Sequence, residues 1–254
     1  MKVISKRKLA DHGNPAYMFK QIESMIIVSD EDLDERDLLM NAAHPFIVRL
    51  ESAFETAEKH YFVLEYLSGG RLFFHLGRET RFPEGQARFY AAQIALGLVY
   101  LHQHGVLYRD LKPENVILDR LGYLKLTDFG IAKRGAKGAL KKSHTFCGTT
   151  EYLAPEVIEG RGHNRAVDWW CLGVLLYEML AGRSPFHGVD RRNRQLMFQA
   201  IQRRPIERQP EFSDAAWSLI QGLLVRDPAK RLAEADVLAH DFFRDVDWRM
   251  LILR

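Results

Sequence analysis

The longest apolar run, Ala166 to Gly182, is broken by just two acids, Asp168 and Glu178. It is short for a membrane span and too continuous for a surface helix, so it predicts a helix buried in a core. Pro83 to His102 predicts a second long helix. Tyr90, Ile94, Leu98 and Leu101 recur at helical spacing, Pro83 suits a first-turn position, and Gly105 ends the element. Met1-Lys2-Val3-Ile4, Ile47-Val48-Arg49-Leu50 and Tyr61-Phe62-Val63-Leu64-Glu65-Tyr66 read as strands, with Thr56-Ala57-Glu58-Lys59 as a turn between the last two. Val116-Ile117-Leu118 and Leu124-Lys125-Leu126-Thr127 are shorter strands joined through Gly122-Tyr123. Residues 30–40 predict a helix, with Ser29 as cap, Asp32 in a loose capping box, and Leu33, Leu39 and Met40 facing inward. Residues 5–30 show no clear period, and Gly13-Asn14-Pro15 marks a turn there.

A chain of 254 residues, 47% hydrophobic, can fill one large domain or two lobes. Its net charge of +3 does not by itself imply nucleic acid. Basic residues cluster at Lys133–Lys142, Arg191–Arg194 and Arg203–Arg208, and the last two clusters read as solvated surface. The two cysteines, Cys147 and Cys171, have no metal-ligand spacing and suggest no disulfide framework, so a reducing compartment fits. No signal peptide and no membrane span are expected.

Chemistry concentrates in Tyr108-Arg109-Asp110-Leu111-Lys112-Pro113-Glu114-Asn115, with Asp128-Phe129-Gly130 beginning 18 residues after Asp110. Phosphoryl transfer needs a carboxylate to receive the acceptor's proton, oxygens to hold Mg²⁺ against phosphates, and a cation beside the moving group. Asp110 suits the first role, Asn115 and Asp128 the second, and Lys112 the third.

With Ala154-Pro155-Glu156 further on, these motifs resemble those of eukaryotic protein kinases, with Tyr108 where the signature has His. The resemblance implies a bilobal α+β kinase fold: a partial small lobe over residues 1–66, a hinge at 67–70, and a helical large lobe over 71–254. It implies that Lys2 pairs with the ATP phosphates and with Glu35. The hinge backbone at Glu65 and Leu67, with Leu64 behind it and Leu72 beside it, would hold adenine. Thr149 would line the acceptor pocket near Asp110 and Lys112. Glu156 and Arg231 would form a structural ion pair, and Asp168 would have a structural role. Lys112 after Asp-Leu marks the serine/threonine type.

Tyr108-Arg109-Asp110, Thr145-Phe146-Cys147-Gly148-Thr149 and Val167-Asp168-Trp169-Trp170 together resemble the AGC group. Glu65-Tyr66-Leu67-Ser68-Gly69-Gly70, His144-Thr145-Phe146-Cys147-Gly148-Thr149 and Gly162-His163-Asn164-Arg165-Ala166-Val167-Asp168 are most similar to its ribosomal-protein kinases. An upstream kinase acting at Thr145 would create a phosphate gripped by Arg109 and Lys133. Glu114 and Glu178 match acids that hold substrate arginines, whereas Arg71 stands where many relatives place a further acid. The implied cofactors are ATP and Mg²⁺, the partners are proteins presenting Ser or Thr, and the location is cytoplasmic and also nuclear.

The sequence shows no G-x-G-x-x-G before Lys2, and the span from Lys2 to Glu35 is longer than in the family, which reads as an insertion. The expected function is therefore a serine/threonine kinase. The alternative is a truncated, catalytically weak fragment serving as a binding or regulatory module.

Overall fold

The computed structural model describes residues 2–5, 44–128, 133–134, 150–162, 164–190 and 192–254. The helix expected over residues 30–40 and the proposed insertion, apart from Ser5, lie outside the described residues.

Three strands form one antiparallel sheet: β1 (Lys2–Ser5), β2 (Leu50–Glu55) and β3 (Lys59–Leu64), in the order β1-β3-β2. The β2–β3 hairpin closes through Thr56, whose N–H donates to the Lys59 carbonyl at 2.8 Å and whose hydroxyl accepts the Lys59 N–H at 3.2 Å. The sequence placed the strand over residues 47–50, one segment too early. Ile47 instead forms a parallel bridge to Leu126, and Val48 donates its N–H to the Leu126 carbonyl at 3.0 Å. The apolar run marks where the chain docks on the larger body. β2 itself is mostly solvent-facing and has little hydrophobic signature.

A second sheet, ordered β4-β6-β7, joins β4 (Gly70–Arg71), β6 (Val116–Leu118) and β7 (Leu124–Leu126), while β5 (Val106–Leu107) pairs with β8 (Lys133–Arg134). The helices are α1 (Leu72–Glu79), α2 (Glu84–Gln103), α3 (Pro155–Ile158), α4 (Ala166–Ala181), α5 (Arg194–Arg203), α6 (Asp214–Leu223), α7 (Glu234–Leu238) and α8 (Trp248–Leu253). No helix among the described residues is long and apolar enough to cross a membrane.

The apolar run of the sequence becomes α4, buried along nearly its whole length between α2 and α6. Gly173 permits that approach, because a Cβ there would lie 2.8 Å from the Leu223 Cβ. Tyr90, Ile94, Leu98 and Leu101 of α2 all face this core. α6 begins at Ser213, whose Oγ accepts the Ala216 N–H at 3.0 Å and donates to Glu84 at 3.0 Å, so one cap also ties α6 to the start of α2. Arg231 and Glu156 are buried and paired through both oxygens, at 2.7 and 2.9 Å, with the guanidinium over the Trp170 ring. Removing either partner would strand a buried charge.

The segment His44–Val48 links the small sheet to the helical body. The His44 ring stacks on Tyr100 with centroids 4.6 Å apart, and its Nδ1 accepts the Phe46 N–H at 3.3 Å. Burial, then the charges of Lys125, Arg254 and His104, lower its pKa from 6.5 to about 4. The unfolded chain therefore binds more protons between those values. The contribution of His44 to stability is complete above pH 6.5 and is lost as pH falls toward about 4. We expect the urea midpoint to drop through this window and His44→Gln to drop less steeply. Superimposable profiles would show that His44 does not couple to folding.

Candidate active site

The loop carrying Tyr108 to Asn115 is held from below by α4. Asp168, fully buried, accepts the Tyr108 N–H at 3.0 Å and the Arg109 N–H at 2.7 Å, and its Oδ2 lies 2.7 Å from His102 Nε2. Arg109 needs this support, since it is a non-glycine residue at φ 65°. From above, the Tyr108 hydroxyl donates to the Thr127 carbonyl at 2.5 Å. The Thr127 hydroxyl and N–H both reach the Asn115 carbonyl, at 3.0 and 2.9 Å. The residue before Asp128 is thus tied to both ends of the loop.

Asp110, Lys112 and Asn115 form one cluster. The Lys112 ammonium donates to both Asp110 oxygens, at 2.9 and 3.0 Å, and Asn115 Nδ2 donates to Asp110 Oδ2 at 2.7 Å and to the Asp110 carbonyl at 2.9 Å. Burial raises the Asp110 pKa, with the Asp128 charge adding to it, while Lys112 and Asn115 pull the other way. The outcome is a carboxylate more basic than usual but still held for proton acceptance. Asp128 is exposed, at φ 57°. Because Asn115 spends its NH₂ on Asp110, its Oδ1 is left as an acceptor. Mg²⁺ takes one or two protein oxygens and fills its shell with water and phosphate, so Asn115 Oδ1 and Asp128 fit it. No group of three or more His, Cys, Asp or Glu among the described residues makes a resident metal cage.

Between the two sheets, Glu65 donates its N–H to the Arg49 carbonyl at 3.0 Å. Its Oε1 accepts the Arg49 N–H at 2.8 Å and the Lys125 ammonium at 2.6 Å. Leu64 and Leu67 are partly exposed, and Tyr66 is 91% exposed. Gly69 is needed where the chain turns against β6, because a Cβ there would sit 2.3 Å from the Asp119 carbonyl.

Leu72 corrects the sequence expectation. It is 0% exposed inside the core, so it cannot line a nucleotide slot. It opens α1 on the buried face, beneath β6, where Ile117 is the partly exposed residue.

On the acceptor side, the Tyr152 hydroxyl hydrogen-bonds Glu178 Oε2. Burial, then the charges of Glu178, Glu114 and Glu151, push the Tyr152 hydroxyl well above its usual pKa. Arg71 is exposed on β4, opposite Ile117. Lys2 lies on β1 opposite Phe62, and Lys133 on β8 opposite Leu107. Their side chains, together with Glu35, Thr145, Thr149 and Cys147, lie outside the described residues.

Sequence reading missed Lys125 and His102. A lysine between the two leucines of a buried strand was the available signal for Lys125. His102 looked like the ordinary end of a helix.

The protein kinase domain family matches residues 5–243, and the chain belongs to it. The chain is similar to the RAC family serine/threonine-protein kinase homolog of Dictyostelium discoideum, at 43% identity over 99% of this chain and 53% of the relative. It is similar to the serine/threonine-protein kinase Sgk3 of Rattus norvegicus, at 45% identity over 98% of this chain and 51% of that protein. It is also similar to human Sgk1, at 45% over 93% of this chain and 56% of the relative. These relatives are AGC kinases, and the chain spans about half their length.

Asp168→Ala would orphan two backbone donors under a left-handed residue. We expect it to cost at least about 1–3 kcal/mol in urea denaturation, the range for one buried donor left unpaired. Asp168→Asn, which keeps one acceptor oxygen, should fall between. An Asp168→Ala midpoint equal to the parent's would remove Asp168 as the support of the loop.

Proposed function

We propose that this chain transfers the γ-phosphoryl group of ATP to a serine or threonine hydroxyl of a protein. The carrying observation is the single cluster of Asp110, Lys112 and Asn115, braced to the residue before Asp128. Asp110 orients the acceptor hydroxyl and receives its proton as the oxygen bonds to phosphorus and the bond to the β-phosphate oxygen breaks, releasing ADP. Lys112 has three donors and spends two on Asp110, which leaves one for the moving phosphoryl oxygens. Asn115 and Asp128 would hold Mg²⁺, which offsets the phosphate charge when bound. The Glu65 backbone carbonyl, with Leu64 and Leu67, would recognise adenine. Lys2 and Glu35 would position the phosphates, and Thr149 would line the acceptor pocket.

Thr145 is the proposed site of an upstream kinase, with Arg109 and Lys133 as its cations. Support for this comes from Arg109, whose backbone is fixed by the carboxylate that also fixes the catalytic loop.

Asp128→Ala should lower phosphate transfer to a test peptide to below about a hundredth of the parent rate, with an unchanged thermal melt. A variant that works at the parent rate would show that Asp128 does not hold metal.

For substrate choice, the carboxylates of Glu114 and Glu178 favour arginine upstream of the target hydroxyl through charge-assisted pairs. Arg71 weakens that preference. Arg71→Glu should strengthen it by up to about 1–3 kcal/mol where the new pair is desolvated, as read on a peptide array. A parent that prefers acidic peptides would overturn the assignment of both glutamates.

A further inference from the structure

The two arginine clusters of the sequence meet on one helix. α5 opens at Arg194 and closes at Arg203, with Arg192 just before it and Arg204 just after. The helix contains no acid, and its first turn carries none. Arg192 and Arg194 therefore stand at the positive end of the helix, where a cation is unfavourable. Arg203 and the Arg192 guanidinium have no hydrogen bond or ion pair among the described residues.

Beside this helix lies an open groove of about 500 Å³, walled on its other side by Gly188–Asp190. Its apolar surface comes from Val189, Leu196 and Ala200, and Arg203 and Arg204 stand at its edge. Leu196 is 46% exposed, one turn from Ala200 on the same face. Arg204 is fixed by a 2.8 Å bond to the His187 carbonyl. The single acid of the groove, Asp190, is engaged by the Arg192 N–H at 2.9 Å. An ordinary solvated surface interleaves both signs, whereas this one sets arginines around an apolar strip.

We propose that this groove docks an acidic segment of a partner protein. An apolar side chain of the segment sits on Leu196 and Ala200, and its carboxylates pair with Arg203 at one end of α5 and with Arg192 at the other. The ten-residue helix is about 15 Å long, a distance that about five extended residues span. A nucleic-acid strand is disfavoured because no aromatic side chain lines the groove to stack on bases. The proposal is independent of the phosphotransfer reading.

The test is fluorescence anisotropy on the full chain with a labelled peptide alternating glutamate and leucine. The controls are its glutamine–leucine counterpart, an all-glutamate peptide, oligothymidylate and phosphatidylserine vesicles. We expect the glutamate–leucine peptide to bind about tenfold or more tightly than every control, and more weakly as salt rises. Arg192→Glu with Arg203→Glu should weaken it by at least about tenfold, and Leu196→Ser by several-fold, with unchanged melting curves. If the charge reversal disturbs folding, Arg192→Gln with Arg203→Gln replaces it. Absence of saturable binding overturns the proposal. So does equal or tighter binding of the all-glutamate peptide, oligothymidylate or vesicles, or a Leu196→Ser variant that binds like the parent.

Discussion

The catalytic loop depends on one buried carboxylate. Asp168 stands on the most deeply buried helix, and it accepts two successive backbone N–H groups of a loop that has no regular secondary structure to satisfy them. Without it, the two buried backbone donors that flank the positive-φ turn at Arg109 would lose their acceptor, and the chain leaving Arg109 would lose a support that points Asp110 toward Lys112 and Asn115. An acid in the middle of an apolar run costs desolvation unless it is fully bonded. Here its bonds go to the loop on one side and to His102 on the other. The core helix and the site are for this reason one structure, and damage to the core at this point would be felt first as misplacement of Asp110.

A second buried charge does comparable work at the junction of the two sheets. Lys125 reaches from β7 to Glu65, and Glu65 also takes the Arg49 N–H. The segment proposed to present its backbone to adenine is therefore fastened to the strand that leads to Asp128. Tyr108 repeats the pattern through Thr127, so Asp128 inherits its position from two sides although it is itself exposed. An exposed side chain on a fixed backbone suits the role proposed for Asp128 in a site that must admit and release a charged substrate.

How much of this was legible in the sequence depends on how local the cause was. The α2 and α4 helices follow from apolar spacing within a single segment, and the Asp110–Asn115 cluster follows from residues close in the chain. Leu72 was misplaced because its burial depends on β6, more than forty residues away in the chain. The strand at 47–50 was displaced because an apolar run reports burial and not hydrogen-bonded partners. Ile47 is partly buried where it docks on Leu126, whereas β2 pairs while mostly facing water. Lys125 was overlooked because its partner, Glu65, is 60 residues distant, and no pattern within either segment names the other.

Charge shows the same limit from another side. A net charge of +3 suggests a bland surface, yet the fold separates the signs. Near Tyr152, burial first and then the charges of Glu178, Glu114 and Glu151 all push its hydroxyl pKa up, and Glu178 also hydrogen-bonds it. Arginines instead frame α5, a helix that supplies no acid to balance them. Mutual repulsion among like charges opposes both groupings, so stability of the fold alone would favour mixing them. On the proposed substrate preference and the proposed groove, segregation of this kind would give one chain two faces for opposite partners: a cationic stretch at the acceptor site and an anionic one along α5. A protein carrying both stretches at the right spacing would gain from each contact through the other, because the second engagement becomes intramolecular once the first has formed.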